Sequence, residues 1–152
     1  MEIIPATSKH FLDIEETISL DDQKEFIMFK KYISKDESIS LLQQLIEVSC
    51  NFPVHAMVHN GITLAVGGEV GGCVWFITSS LLMSSPKEDK REFIKIMTEH
   101  KDEVLTRESI IYNYVWEGNK SHINFLKAMG AEFPINTEDV PEHFKLFIIK
   151  GR

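Results

Sequence analysis

The stretch VGGEVGGCVWFITSS, Val66 to Ser80, sets two glycine pairs against a run of β-branched and aromatic residues. A glycine-rich loop holds a phosphate when it follows a strand and opens a helix, because its backbone N–H groups then converge on the anion beside the positive end of the helix. Here the order is reversed. Cys73 to Thr78 reads as a central strand by its content of Val, Trp, Phe, Ile and Thr, and the glycines come before it. They therefore read as a turn at Val70–Gly72 and a close backbone approach at Gly67–Gly68.

Upstream of this stretch, Asn60-Gly61 lies between VHAMVH and ITLAV, a strong two-residue hairpin signal because both turn positions take positive φ. The reading is a three-strand antiparallel meander from Val54 to Thr78. Downstream, Ser85-Pro86-Lys87-Glu88 predicts a helix start with Ser at the cap, Pro at the first helical position and Glu three residues after the Ser. The helix that follows carries Phe93, Met97, His100 and Val104 on one stripe. Ile110 to Val115 returns as a strand, Asn119 to Met129 as a helix with Ile123, Leu126 and Met129 inward and Gly130 as its C-terminal cap. Phe144 to Ile149 closes as a strand, with a short one at Ala131 to Phe133.

Before the meander, Glu2 to Pro5 reads as a first strand, and Ser8 to Tyr32 as one broken helix or two short ones, from Phe11, Ile14, Ile18, Phe26 and Phe29. A helix from Ile39 to Ser49 is marked by the Ser40/Gln43 capping box and the shared face of Leu41, Leu42, Leu45 and Ile46, and Pro53 forbids its continuation. The class is α/β (α+β), with helices layered on a mixed, mainly antiparallel sheet.

The chain of 152 residues has the length of one domain, 1–152, with 43% hydrophobic and 26% charged residues, too apolar for a disordered chain. Net charge is −7, and residues 1–50 hold ten acids against five Lys or Arg. Without a basic cluster to displace counterions, nucleic acid is not an expected partner. No run reaches the ~18 apolar residues of a membrane helix and MEIIPATSKH is not a signal peptide, so neither a membrane nor export is expected. Cys50 and Cys73 lack metal-ligand spacing and are read as buried small apolar residues. His55 and His59 fall on a strand, where a spacing of four spans about 13 Å, so one metal cannot take both, and no metal site is expected.

The element order, with YNYVWEGNKSHINFLKAMGAEF at its end, resembles the GNAT (GCN-five-related acetyltransferase) fold, in which a splayed mixed sheet holds acetyl-CoA. Asn119, Ile123 and Gly130 fall where that family's closing motif has Asn, an apolar residue and Gly. A closer similarity is to the gene-thirteen protein family of short-tailed podoviruses, through AVGG (65–68), CVWFITS (73–79), Lys90-Arg91-x-Phe93 and NYVWEGNKSHINFLKAMGA (113–131), spanning Ile62 to Lys150. That resemblance implies a GNAT-like domain in virion morphogenesis: a late phage protein in the host cytoplasm or virion, with internal core proteins as partners.

Against the enzyme pattern, the segment where a GNAT enzyme carries its glycine-bearing pyrophosphate loop is SSLLMSSPKEDKREF, Ser79 to Phe93, which contains no glycine. The helix position where many GNAT enzymes place a proton-donating Tyr is Leu126. The departures imply no bound cofactor and a non-enzymatic role. If the enzyme reading holds instead, acetyl-CoA is the cofactor and a host or phage amine the substrate. The candidates to grip it are then Val74, Trp75, Phe76, Ile77 and Thr78 on the strand, Lys87, Lys90 and Arg91 in the first helical turns, and Asn119. Glu69 and His122 are the weak catalytic candidates, Glu69 as a turn carboxylate read as solvated and His122 as a cleft-lining neighbour of Asn119. A third alternative, an inhibitor of a host defence protein, rests on the acidic surface. His100 is read as a hydrogen-bonded core residue, and Tyr112, Tyr114 and Trp116, which alternate on one strand, as a face packed under a helix.

Overall fold

A computed structural model describes residues 1–135 and 139–151. Six strands lie side by side in chain order: β1 (Glu2–Pro5), β2 (His55–His59), β3 (Ile62–Val70), β4 (Cys73–Thr78), β5 (Ile110–Trp116) and β6 (Phe144–Lys150). All neighbours are antiparallel except β4 and β5, which run parallel. The helices are α1 (Ser8–Thr17), α2 (Leu20–Phe29, followed by a π-helical turn Lys30–Ser34), α3 (Leu41–Asn51), α4 (Ser80–Met83), α5 (Lys87–Val104) and α6 (Lys120–Ala128).

Turn chemistry positions the strands. Asn60 and Gly61 have φ of 51° and 76°, and Gly71 and Gly72 have 57° and 90°, the positive pairs that two-residue hairpins require. Gly67 and Gly68 stay inside β3. A Cβ on Gly68 would lie 2.9 Å from Trp75 Nε1, and one on Gly67 2.9 Å from Phe76 Cβ, so the pair makes room for the two aromatic residues opposite it.

Alternation divides the core between two faces of the sheet. Ala56 and Val66 pack with Phe11, Ile14, Leu41 and Leu45 of α1 and α3. Met57, Leu64 and Ala65 pack with Leu82 and Phe93 on the other face. Leu64 can join Ala65 there because the β2–β3 register shifts between Met57 and Val58, leaving Leu64 unpaired as a bulge. Farther along that face, Val104, Ile111, Met129 and Ile149 form one cluster and Val115, Ile123, Leu126 and Phe147 the next.

Four local expectations are corrected. Ser85 does not cap α5: its hydroxyl donates to the Leu81 carbonyl at 2.7 Å, because an extra turn, α4, intervenes after Thr78 with Ser79 as its cap. On α3 the buried residues are Leu41 and Leu45, while Ile46 is exposed. Cys50 falls off the same stripe and is exposed, and Cys73 is half-buried. On β5 the buried residues are Ile111 and Val115, so Tyr112, Tyr114 and Trp116 occupy the opposite face, where Tyr112 is exposed and only partial packing is achieved, Tyr114 lining a cavity beneath α2 and α3.

Candidate functional site

The site begins where β4 and β5 part. They share one register pair, Cys73 opposite Tyr112, next to which the Tyr112 N–H donates to the Gly72 carbonyl at 2.9 Å. The Asn113 side chain then donates to the Val74 carbonyl at 2.8 Å. Beyond that the strands diverge, and their backbone N–H groups need partners from elsewhere. Helix α2 supplies two. Asp22 Oδ2 accepts from the Thr78 N–H and hydroxyl, both at 2.7 Å, and Glu25 Oε1 accepts from the Trp116 N–H at 2.8 Å. One turn of helix thus stitches the C-terminal ends of both strands, because residues three apart share a helix face.

Asn119 completes the arrangement from the start of α6. Its Oδ1 caps the helix by accepting from the His122 N–H at 3.2 Å, and its amide donates to Asp22 Oδ1 at 2.8 Å. Asn119 is fully buried with both ends of its amide committed, which makes it a strut between α2 and α6. His122 follows on the first turn of α6, its ring edge-on to Phe76 with centroids 4.4 Å apart. It is 8% exposed, and neither ring nitrogen has a hydrogen-bond partner among the described residues. Nδ1 faces Glu25 Oε2 at 3.6 Å.

Three cavities surround this point. One of about 270 Å³ lies between the sheet and α2–α3, lined by Val74, Trp75, Phe76, Ile77, Tyr114 and His122 among others. A second of about 270 Å³ opens on the α5–α6 face beside Trp75, Met97 and His100. A third, of about 160 Å³, runs from Asp22 and Thr78 to Lys90 and Ser121. The splay thus brings together Val74 to Thr78, His122 and Lys90 from the sequence-derived candidates. Lys87 and Arg91 are exposed on α5 and line none of the three.

Glu69 is a different case. It lies within β3 rather than in the turn, its side chain only 10% exposed, accepting from the Gly72 N–H at 2.7 Å and from both terminal nitrogens of Arg107 at 3.2 and 2.8 Å. The Arg107 hydrogen bonds, aided by the Gly72 N–H, hold its carboxyl below the usual range despite partial burial, so it is fixed as an anion and is poorly matched to proton abstraction near neutral pH. His100 lines the cavity on the α5–α6 face, and desolvation lowers its pKa from 6.5, with His55 and Arg107 adding to the effect and Glu103 and Glu69 opposing it. The expectation of a hydrogen-bonded His100 gives way to a half-buried ring on a cavity wall.

The fold implies acetyl-CoA, and the residues after β4 fit its pyrophosphate poorly. Thr78 N–H is held by Asp22, Ser79 N–H by the Leu64 carbonyl at 2.9 Å, and Leu81 N–H by Ser79 Oγ at 3.1 Å. The first turn of α5 carries Glu88 and Asp89, which repel an anion at that helix end. Leu126, at the position of the enzyme family's Tyr, is 2% exposed and packed with Val115, Ile123 and Phe147.

Residues 53–137 match the family described as "Bacteriophage T7, probable scaffold protein Gp13". The chain belongs to this family. A curated relative, "Probable scaffold protein gp13" of Escherichia phage T7, is 44% identical over 73 residues, covering 48% of this chain and 53% of the relative, so the match spans about half of each. Among solved structures, smu.2055 from Streptococcus mutans UA159 superposes with a TM-score of 0.62 at 12% identity, over 99% of both chains. Spermidine N-acetyltransferase from Vibrio cholerae, solved with CoA and spermine, gives 0.58 at 11% identity over 98% of this chain and 94% of that one. These likenesses place the chain in the GNAT fold. The family match starts at Pro53, after α1–α3, so the splay joins residues inside it, Thr78, Asn119 and His122, to Asp22 and Glu25 outside it.

Asp22 and Glu25 are the residues the sequence reading missed. Their signal was positional: the apolar spacing Ile18, Phe26, Phe29 puts residues 22 and 25 on the inward face of α2, where carboxylates are out of place unless bonded.

Proposed function

We propose that this protein serves virion morphogenesis as a GNAT-fold domain without acetyl-transfer activity, binding internal virion core proteins in the host cytoplasm and remaining with the virion. The match of residues 53–137 to a phage scaffold family carries this reading. Support comes from the end of β4, where Asp22 and Ser79 already hold N–H groups that an anion-binding loop would present. The acidic outer face of α1, with Glu16 exposed, and the exposed Glu47 of α3 supply charges for basic partners. Tagged protein recovered from infected cells is expected to carry core proteins with it, and a Glu16→Lys, Glu47→Lys double variant to lose them. Virions that package core proteins normally with this variant, together with no virion protein co-purifying with the native chain, would end the proposal.

The second reading is an acetyl-CoA-dependent N-acetyltransferase acting on a host or phage amine. It is favoured by the parting of β4 and β5, where Val74 to Ile77 line a cavity and Lys90 reaches a neighbouring one. Calorimetric titration with acetyl-CoA decides between the two. Micromolar binding favours the enzyme, and absence of heat at millimolar ligand removes it.

A further inference from the structure

We infer that Asp22, Glu25 and His122 form a binding site for one divalent first-row transition ion, Zn²⁺ being the representative case. Each residue offers one ligand atom, and the three atoms lie within 4.8 Å of one another. His122 is the observation that separates this cluster from an ordinary group of acids: it is more than nine-tenths buried, both ring nitrogens are unpartnered among the described residues, and Nδ1 faces Glu25 Oε2 at 3.6 Å, outside hydrogen-bond reach. A buried imidazole with two orphaned nitrogens is costly. A metal bond to one of them removes that nitrogen's share of the cost.

The surroundings are those of a held ligand set. Asp22 is fixed by Thr78 through Oδ2 and by Asn119 through Oδ1, which keeps a lone pair free. Glu25 is fixed through Oε1 by the Trp116 N–H, leaving Oε2 directed at the imidazole. Outer hydrogen bonds of this kind orient metal-binding carboxylates. The Phe76 and Phe147 rings flank His122 and fix its plane. Tetrahedral Zn²⁺ with bonds of about 2.0–2.1 Å needs ligand atoms roughly 3.4 Å apart; the His122 Nδ1 to Glu25 Oε2 distance of 3.6 Å is close to this, and the separations of up to 4.8 Å close by up to about 1.4 Å to complete the site. One nitrogen and two carboxylate oxygens suit Zn²⁺, Mn²⁺ or Fe²⁺ better than Ca²⁺ or Mg²⁺, which prefer all-oxygen shells. All three residues border the α2–α3 cavity, which leaves a coordination position open on that side.

The test is calorimetric titration of the metal-stripped native chain with Zn²⁺, paired with the visible spectrum of the Co²⁺ form. One equivalent is expected, with the absorption of a four-coordinate Co²⁺ site. Glu25→Gln keeps an acceptor for the Trp116 N–H and so preserves the fold, and is expected to weaken Zn²⁺ by at least about tenfold. His122→Gln should abolish stoichiometric binding, whereas Cys50→Ser should leave it unchanged. If His122→Gln fails to fold, the ring nitrogen resonances of His122 in the native chain are expected to shift on addition of Zn²⁺. No binding at millimolar Zn²⁺, as would follow if an imidazolium–carboxylate pair alone fills the site, overturns the inference. So does binding of equal strength in the native chain and Glu25→Gln.

Discussion

The two ends of β4 are built by opposite means. At Cys73 the strand starts from a Gly-Gly turn, and backbone geometry does the work: Gly72, at φ 90°, lies so close to Ile110 that a Cβ would meet its carbonyl oxygen. At Thr78 the strand ends without glycine, and side chains do most of the work: Asp22 accepts from the Thr78 N–H and hydroxyl, Ser79 Oγ accepts from the Leu81 N–H of the next turn, and the Ser19 backbone N–H donates to the Thr78 carbonyl. In an anion-binding loop the flexible, N–H-rich end follows the strand. This chain has the glycines at the end where they shape the sheet and carboxylates at the end where a phosphate would sit, so the same strand order is compatible with a role other than cofactor binding.

The largest expected effect tests the side-chain end. Asp22→Ala strands the Thr78 N–H and the Asn119 amide in the interior, and we expect a loss of about 3 kcal/mol in denaturant unfolding, in line with unpaired buried groups of a charged network. A loss below about 1 kcal/mol would mean that water replaces the carboxylate and that this end of β4 is open after all.

The glycine end comes next. Gly72→Ala combines a positive φ with the Ile110 contact and is expected to cost about 2–3 kcal/mol. Gly71→Ala has a positive φ of 57° but nothing within 4 Å of the added carbon, and should cost about 1 kcal/mol. Equal losses at the two positions, measured by thermal or denaturant unfolding, would show that the approach of β4 to β5 is adjustable.

Between these two ends lies the reason that sequence revealed one and hid the other. Asn60-Gly61 and Gly71-Gly72 are local signals, and the strands and turns they predict are present. The capping box of Ser40 and Gln43 is local too and is formed as expected. Asp22, by contrast, meets Thr78 and Asn119, which are 56 and 97 residues away in the chain. No periodicity joins such positions. Asn119 is marked by family resemblance and caps the helix that carries His122, but its burial, which makes it a strut, depends on α2 lying across it. Glu69 went astray by a smaller error: β3 extends to Val70, and Arg107 arrives from beyond the end of α5.

Glu69 gives a third and smaller effect, again at the glycine end. Glu69→Gln keeps an acceptor for the Gly72 N–H but loses the charge facing Arg107, and about 1 kcal/mol is expected at neutral pH. Because the folded carboxyl is held below its ordinary value of 4.5, its contribution is complete above that pH and lost as pH falls through the folded value. The native chain and the variant should therefore converge in acid. A difference that persists unchanged at low pH would assign the effect to packing instead of charge.

His100 gives the smallest effect and the opposite chemistry. Its pKa is held down mainly by burial, with nearby His55 and Arg107 acting in the same direction and Glu103 and Glu69 against them. Since the folded state takes up its proton less readily than the unfolded chain, stability is undiminished above about 6.5 and declines as pH falls from there toward the lower folded value. His100→Gln removes this titration, so the stability of the variant should fall less steeply than that of the native chain just below pH 6.5, with the two curves parallel above it. The change is one of slope over a narrow window, smaller than the loss expected at Glu69, because the ring is only half-buried and lies on a cavity wall that water can reach. A steeper fall in the variant would mean that His100 is protonated in the fold and paired with Glu103 or Glu69, which would make that cavity a charged site and not an apolar one.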